Sequence, residues 1–319
     1  MNVHENVDLK AYTTFGVAGV ARWFAIARSE FDIDDAFKWA KSRGESILIL
    51  GGGSNVAIAD GIIEKLVLKI SNNTIRVEGN KILCGAGTEL SKLIRTANIK
   101  GLDGLEAMAG IPGTVGGAIV GNAAAYGQAI GDHLVRVQVM DYADTRFNPV
   151  TRLNLVNNET KTWISKAECE FAYHDSVFER KPAIIIQAEF EFDKAEADLL
   201  QKKSAEILKI RKKKFPKNAK YPGCFFKNVW ANKVPKQVLA GIPNVKDYFG
   251  KVPAWYFLNE VGARGMIQGG LKVSETHGNL VLNENNASFN DVEALALELK
   301  KRVKEKFGVE LEEEVRFVS

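Results

Sequence analysis

The stretch from Gly101 to Gly127, GLDGLEAMAGIPGTVGGAIVGNAAAYG, constrains this chain more than any other. Its glycines (Gly101, Gly104, Gly110, Gly113, Gly116, Gly117, Gly121 and Gly127) stand among small and apolar residues, not in a Gly/Ser linker. Where a Cβ is missing, the backbone can take φ > 0 and come close to a flat or phosphorylated ligand. Successive N–H groups in such turns form a concave anion site. Taken alone, the segment reads equally well as a tightly packed turn region. A second cluster lies upstream, where Gly51-Gly52-Gly53-Ser54-Asn55 directly follows the apolar run Ile47-Leu48-Ile49-Leu50. A buried strand ending in a glycine turn and then Ser/Asn can present backbone amides to a phosphate. Two such loops point to a cofactor with a pyrophosphate.

Bulk properties narrow the class. At 319 residues the chain is too long for one small core and should divide into two or three subdomains. A net charge of +4 favours anionic ligands weakly and does not indicate nucleic acid. Cys84, Cys169 and Cys224 are odd in number and far apart, with neither a disulfide framework nor metal-ligand spacing. His4, His133, His174 and His277 are scattered, so no metal site is expected. Glu5, Asp8 and Lys10 stand where a signal peptide would need an apolar stretch, and no apolar run approaches membrane-spanning length. The expectation is a soluble, cytoplasmic chain with no membrane partner, a monomer or weak oligomer.

The periodicity predicts an α+β organisation. Ser29 is placed to cap a helix through Phe31, Ala36, Phe37 and Ala40 that closes near Gly44. Strands follow at Ile47–Leu50 and Leu66–Ile70, completing a first unit over residues 1–70. A hairpin is expected at Thr74–Val77 and Ile82–Gly85, turning at Gly79-Asn80. A helix near Glu89–Ala97 then leads into the glycine loop, with strands at Leu134–Met140 and Ala183–Phe192 and a helix over 194–213. These form a second unit, 71–214, which the final strand 309–319 is expected to complete. The third unit, 215–308, ends in an amphipathic helix whose Val292, Leu295, Ala296, Leu299 and Val303 share one face, with Gly308 as C-cap.

Several motifs in order carry a resemblance. They are Thr13-Thr14-Phe15-Gly16, GGGSN at Gly51–Asn55, GIPGTVGGAIVGNAAAYG at Gly110–Gly127, YHDS at Tyr173–Ser176 and CFFKN at Cys224–Asn228. GGLKVSETHGN at Gly269–Asn279 and EEEVRF at Glu312–Phe317 complete the series. Each is weak alone, but their order and spacing together are specific. Over nearly its whole length the chain resembles the UDP-N-acetylenolpyruvoylglucosamine reductase (MurB) family of flavoenzymes.

The resemblance implies an FAD-binding PCMH (vanillyl-alcohol oxidase-like) fold of two subdomains plus a C-terminal α+β substrate-binding domain. It implies FAD and NADPH as cofactors, a UDP-sugar as substrate, and a place in peptidoglycan precursor synthesis. Hydride reaches C3 of the enolpyruvyl group through the flavin, and C2 is then protonated. By the same resemblance Gly51, Gly52, Gly53, Ser54 and Asn55, with Ile111, Pro112, Gly113, Gly117 and Asn122, line the FAD.

Such chemistry needs a cationic or hydrogen-bonding group at the substrate carboxylate and a proton donor over C2. Cys224 stands at the family's donor position; a thiol with a pKa of about 8.5 is mostly protonated at neutral pH. The bland alternative is a buried, inert cysteine. Glu314 stands at the family glutamate, while Glu312 and Glu313 read as a solvated charge run. The chain departs from the family at His174, where the motif has arginine: imidazole lacks the bidentate fork of a guanidinium. Three readings stay open: His174 replaces the arginine and makes activity pH-sensitive, Arg211 or Lys214 moves in, or catalysis is impaired. Tyr173, Lys214, Asn228 and Arg264 are substrate-side candidates by position, Lys214 toward the diphosphate. The basic run Arg211–Lys217 otherwise reads as a solvated helix end. The segment Trp230–Lys251 is longer than expected and is a candidate lid. The rival functions are another flavoenzyme of this fold, such as a 2-hydroxy-acid or sugar oxidase, and a flavin- or UDP-sugar-binding protein without turnover.

Overall fold

Local capping starts the fold. Ser29 Oγ accepts from Asp32 N at 3.2 Å and Asp32 Oδ2 accepts from Ser29 N at 3.0 Å, a reciprocal box that begins the helix Glu30–Arg43. Gly44, at φ 65°, ends it in the left-handed conformation that favours glycine. The computed structural model describes residues 1–141, 161–181, 183–216, 218–242 and 249–319. The described chain divides into two compact units. One comprises Met1–Asn6, Arg22–Gly52 and Glu64–Lys213; the other comprises Val7–Ala21, Gly53–Ile63 and Lys214–Ser319.

In the first unit the helix Glu30–Arg43 carries the chain to the strand Ile47–Leu50, which pairs in parallel with Ile62–Ile70, Leu50 lying opposite Lys69. The predicted hairpin is present as Ile75–Glu78 and Lys81–Gly85 around Gly79 at φ 62°. It forms the edge of a five-stranded antiparallel sheet in the order Lys161–Ser165, Leu134–Asp141, Ala183–Glu191, Lys81–Gly85, Ile75–Glu78. Ala183–Glu191 holds the centre because it is apolar toward both faces: Ile184, Ile185, Ile186, Ala188 and Phe190 are all buried. The helix Leu90–Ile99 buries Leu90, Leu93, Ile94 and Ala97, a single 3.6-period stripe. These residues join Ile33, Ala36, Ile82 and Phe190 in one continuous hydrophobic core. Residues 22–52 and 64–70 of the first expected subdomain thus share a core with the second, whereas 7–21 and 53–63 belong to the other unit.

The second unit packs around the helix Phe289–Phe307, capped by Ser288 and closed by Gly308 at φ 65°, with Val292, Leu295, Ala296, Leu299 and Val303 buried as the spacing predicted. A three-stranded antiparallel sheet, Ile267–Gln268, Leu271–Val273 and Val281–Asn283, lies in the same unit. The end of the chain departs from expectation. Arg316–Val318 pairs in parallel with Val56–Ile58, both in the second unit, instead of completing a sheet within 71–214. Of the expected strand only Arg316–Val318 forms a ladder, and Glu313 before it makes an isolated antiparallel bridge to Phe226 of the CFFKN segment. Val229–Trp230 and Lys251–Val252 pair as antiparallel strands, which closes the expected lid segment at its base; residues 243–248 lie outside the described residues. Among the described residues no helix is long and apolar enough to cross a membrane.

Candidate active site

In the first unit the two glycine clusters touch. A Cβ on Gly52 would sit 2.6 Å from Gly113 Cα, and one on Gly51 would sit 2.7 Å from Thr114 Oγ1. Both distances are below any real Cβ contact, so these glycines are required by loop-on-loop packing as much as by ligand approach. Gly117 differs: outside its own helical turn and among the described residues, a Cβ there would meet only Thr114 Oγ1, at 3.5 Å. Thr114 Oγ1 also accepts from Gly117 N at 3.4 Å. Gly113, at φ 110°, adopts a backbone closed to side-chain-bearing residues, and its carbonyl accepts from Leu90 N. Ile111 and Pro112 span the stretch between Gly110 and Gly113, with Ile111 packed on the core. Beneath the first loop, Lys69 Nζ donates to Gly51 O at 2.9 Å. The cradle is a pair of loops; a strand, not a helix, follows Asn55.

The second loop runs on to Asn122, a non-glycine residue at φ 40°. Its side-chain amide is engaged at both ends: Nδ2 donates to Ala172 O at 2.8 Å and Oδ1 accepts from Gly131 N at 3.2 Å. Asn122 thereby anchors the turn that presents Tyr173 and His174. Ala172 and Asp175 exchange both backbone hydrogen bonds across that turn, and His174 sits at φ 48°. A strained backbone at a non-glycine residue is a common mark of a working position. The imidazole lies edge-on to the Tyr173 ring at 4.4 Å. Both line a cavity of about 310 Å³ together with Asn122 and Lys166. Ser176 completes the YHDS motif structurally, its buried hydroxyl donating to Val120 O at 2.7 Å.

In the second unit a different construction places Cys224, Glu314 and Asn55 together. Cys224 bridges Leu280 on one side of its strand-like segment. The next residue, Phe225, accepts from Glu314 N at 2.9 Å, so the segment bearing the thiol and the segment bearing the carboxylate are hydrogen-bonded neighbours. Asn55 Nδ2 donates to Glu314 O at 2.9 Å, and Asn55 O accepts from Arg316 N at 3.0 Å. Asn279 clamps the other side, accepting from Phe226 N and donating to Phe226 O, both at 2.8 Å. The Thr13-Thr14-Phe15-Gly16 motif supports the same loop: Thr14 N donates to Gly53 O at 2.9 Å, and Thr14 Oγ1 lies 3.3 Å from Ser54 O. Gly53, at φ 63°, passes so close to Tyr12 O that a Cβ would lie 2.0 Å from it.

Of the substrate-side candidates, Asn228 accepts from Ala254 N at 3.1 Å, and the exposed Arg264 donates through Nε to Asn259 Oδ1 at 2.8 Å. Lys214 and Arg264 are both near His277, a residue that sequence reasoning quoted in a motif but did not single out. Burial, then the positive charges of Lys214 and Arg264, push the His277 imidazole down to about 4. Its Nδ1 accepts from Asn279 N at 3.3 Å, so in the neutral ring Nε2 carries the proton, and that atom is buried without a partner among the described residues. Asn279 and Thr114 were also missed. Thr114 was legible as an N-cap before Val115–Val120, whereas Asn279 shows its role only once Phe226 is beside it.

A profile of the FAD binding domain matches residues 21–147. With the two glycine loops in contact, this defines a flavin-dinucleotide-binding protein of the PCMH type. A profile of the UDP-N-acetylenolpyruvoylglucosamine reductase C-terminal domain matches residues 215–318, which include the final strand. The UDP-N-acetylenolpyruvoylglucosamine reductase of Solibacter usitatus (strain Ellin6076) is 39% identical over 317 residues, covering 99% of this chain and 96% of the relative. That of Thermotoga maritima is 31% identical over 308 residues, with 96% and 95% covered. The crystal structure of UDP-N-acetylenolpyruvylglucosamine reductase (MurB) from Thermus caldophilus aligns over 100% of both chains with a TM-score of 0.75 at 28% identity. The chain belongs to the UDP-N-acetylenolpyruvoylglucosamine reductase family.

Proposed function

We propose that this chain is an FAD-dependent reductase that converts UDP-N-acetylglucosamine enolpyruvate to UDP-N-acetylmuramate with NADPH, in the cytoplasmic synthesis of peptidoglycan precursors. The observation that carries the reading is the pairing of Cys224 and Glu314 on hydrogen-bonded neighbouring segments, in a chain that matches reductases of this name along its whole length. When bound, FAD supplies the hydride that NADPH has delivered to it. Gly51, Gly52, Gly53, Ser54, Asn55, Ile111, Pro112, Gly113, Gly117 and Asn122 would hold it. The residues fit a dinucleotide: the Gly52 N–H has no partner among the described residues, and Gly117 brings no Cβ to the loop.

The side chains then manage charge and one proton. Addition of hydride to C3 leaves an electron pair at C2 delocalised into the substrate carboxylate. Cys224 gives its thiol proton to C2, for which a half-buried thiol in its protonated form is suited. Glu314 stands one residue across from that thiol and supplies the second polar group at the reacting enol ether. His174, with Tyr173 packed on its edge, takes the charge-stabilising place of the family arginine, and Lys214, Asn228 and Arg264 receive the UDP moiety. An imidazolium does this work better than imidazole, so turnover should fall as His174 loses its proton.

The test is a visible spectrum of the purified protein, then NADPH oxidation with the enolpyruvyl substrate from about pH 5.5 to 9. A yellow protein that turns over and slows as a histidine deprotonates supports the reading and the role of His174. Turnover that is flat with pH and survives His174→Ala moves that role to Lys214 or Arg211. A colourless protein, or a yellow one that reoxidises without reducing this substrate, overturns the assignment.

A further inference from the structure

Lys69 is out of place by composition. It sits in the strand Ile62–Ile70 between Leu68 and Ile70, which are 0% and 4% exposed. Its ammonium is half-buried, and burial pushes it below the usual lysine value. Among the described residues it has one partner, the Gly51 carbonyl at 2.9 Å, and no carboxylate. An ammonium has three donors, and a half-buried charge with no counter-charge costs stability unless an anion is supplied. Among the described residues nothing supplies one.

Peptide geometry gives the carbonyl contact a direction. The Gly51 C=O and the Gly52 N–H belong to one planar trans peptide and point to opposite sides of it. Holding the oxygen on the Lys69 side therefore aims the Gly52 N–H out of the other side, where it has no partner among the described residues. The ammonium also polarises that peptide, which makes its N–H a stronger donor. The peptide cannot drift, because Gly52 is wedged against Gly113 of the second loop.

We infer that Lys69 is the positioning residue and counter-charge for the diphosphate of the flavin dinucleotide, acting through the Gly51–Gly52 peptide. This rests on the reading that the chain binds FAD. It separates the cradle into a backbone surface, which any flavin meets, and a charge behind it, which only a phosphorylated ligand rewards.

The experiment titrates full-length apoprotein, wild type and Lys69→Gln, with FAD, with riboflavin and with inorganic pyrophosphate, reading flavin fluorescence and heat. Lys69→Gln should weaken FAD by about tenfold or more while changing riboflavin less than about twofold. Lys69→Arg should restore most of the loss, and the salt dependence of FAD binding should be shallower in the glutamine variant. Equal losses for FAD and riboflavin would make Lys69 a prop for the loop and overturn the inference, as would no loss at all. Lys69→Met, of similar length and apolar, replaces the glutamine variant if that one does not fold. If wild-type protein binds neither flavin, the flavin reading fails. Pyrophosphate then decides the inference alone: weaker binding to the variant sustains it, and equal binding ends it.

Discussion

The two units build their working parts by opposite means. In the first, the proposed agent is backbone: Gly51, Gly52, Gly113 and Gly117 offer amides and empty space, with the charge of Lys69 behind them. In the second, the proposed agents are side chains, Cys224 and Glu314, hung on segments joined by backbone hydrogen bonds and fixed by Asn55 and Asn279. A backbone site fails through sterics and shows it as lost ligand. A side-chain site fails through chemistry and shows it as lost turnover with the ligand still in place.

The largest effect expected is on the side-chain site. Cys224→Ala should lower kcat about 10²- to 10⁴-fold with flavin content unchanged, by stopped-flow and absorbance. Cys224→Ser, a weaker acid than the thiol, should recover part of the rate and extend activity to higher pH. Loss of flavin from the alanine variant would break the distinction between the units. Next comes the clamp. Asn279→Ala strands both polar groups of buried Phe226 and should cost about 2–4 kcal/mol in denaturant unfolding. In the backbone site Gly52→Ala should cost about 1–3 kcal/mol and release flavin, because its Cβ has only 2.6 Å to Gly113 Cα. Full flavin retention in that variant would show that the loops can part cheaply.

A pH effect tests the second unit again. The folded value for His277, about 4, lies below its unfolded value, so the unfolded chain binds more protons between these limits. Stability is therefore whole above about pH 6.5 and falls as pH drops toward 4, by about 1–2 kcal/mol once partial solvent screening is allowed for. His277→Asn should flatten that slope in urea titrations; an unchanged slope would assign it to other groups. The smallest effect belongs to the first unit, where Ser29→Ala should cost about 1 kcal/mol through loss of the cap, without change in flavin binding or turnover.

Much of the scaffold was legible because its signals are local. Ser29 and Gly44 bracket a helix, Gly79 turns a hairpin, and the stripe from Val292 to Val303 buries one face, each within a few residues of chain. The C-terminal strand was misplaced for the complementary reason. Its partner is Val56–Ile58, and no local pattern says which distant edge a short parallel strand will choose. Asn122 and Asn228 were read as ligand-facing, and their side chains also hold backbone groups of Gly131, Ala172 and Ala254. An asparagine serves either purpose with the same four hydrogen-bonding sites, and only its neighbours decide.

By itself the sequence determined the element types, the presence of two amide-rich loops and, through ordered motifs, the family, and it offered a candidate thiol and carboxylate. These depend on residue identity and short-range periodicity, which are written along the chain. Tertiary structure alone decided that Gly51 and Gly52 pack on Gly113 and Thr114, that Glu314 pairs beside the residue after Cys224, and that Lys69 stands behind the first loop with no carboxylate partner among the described residues. Those are contacts between residues far apart in sequence. Their closure entropy is met only by the cooperative burial of a whole core, so no short segment carries them.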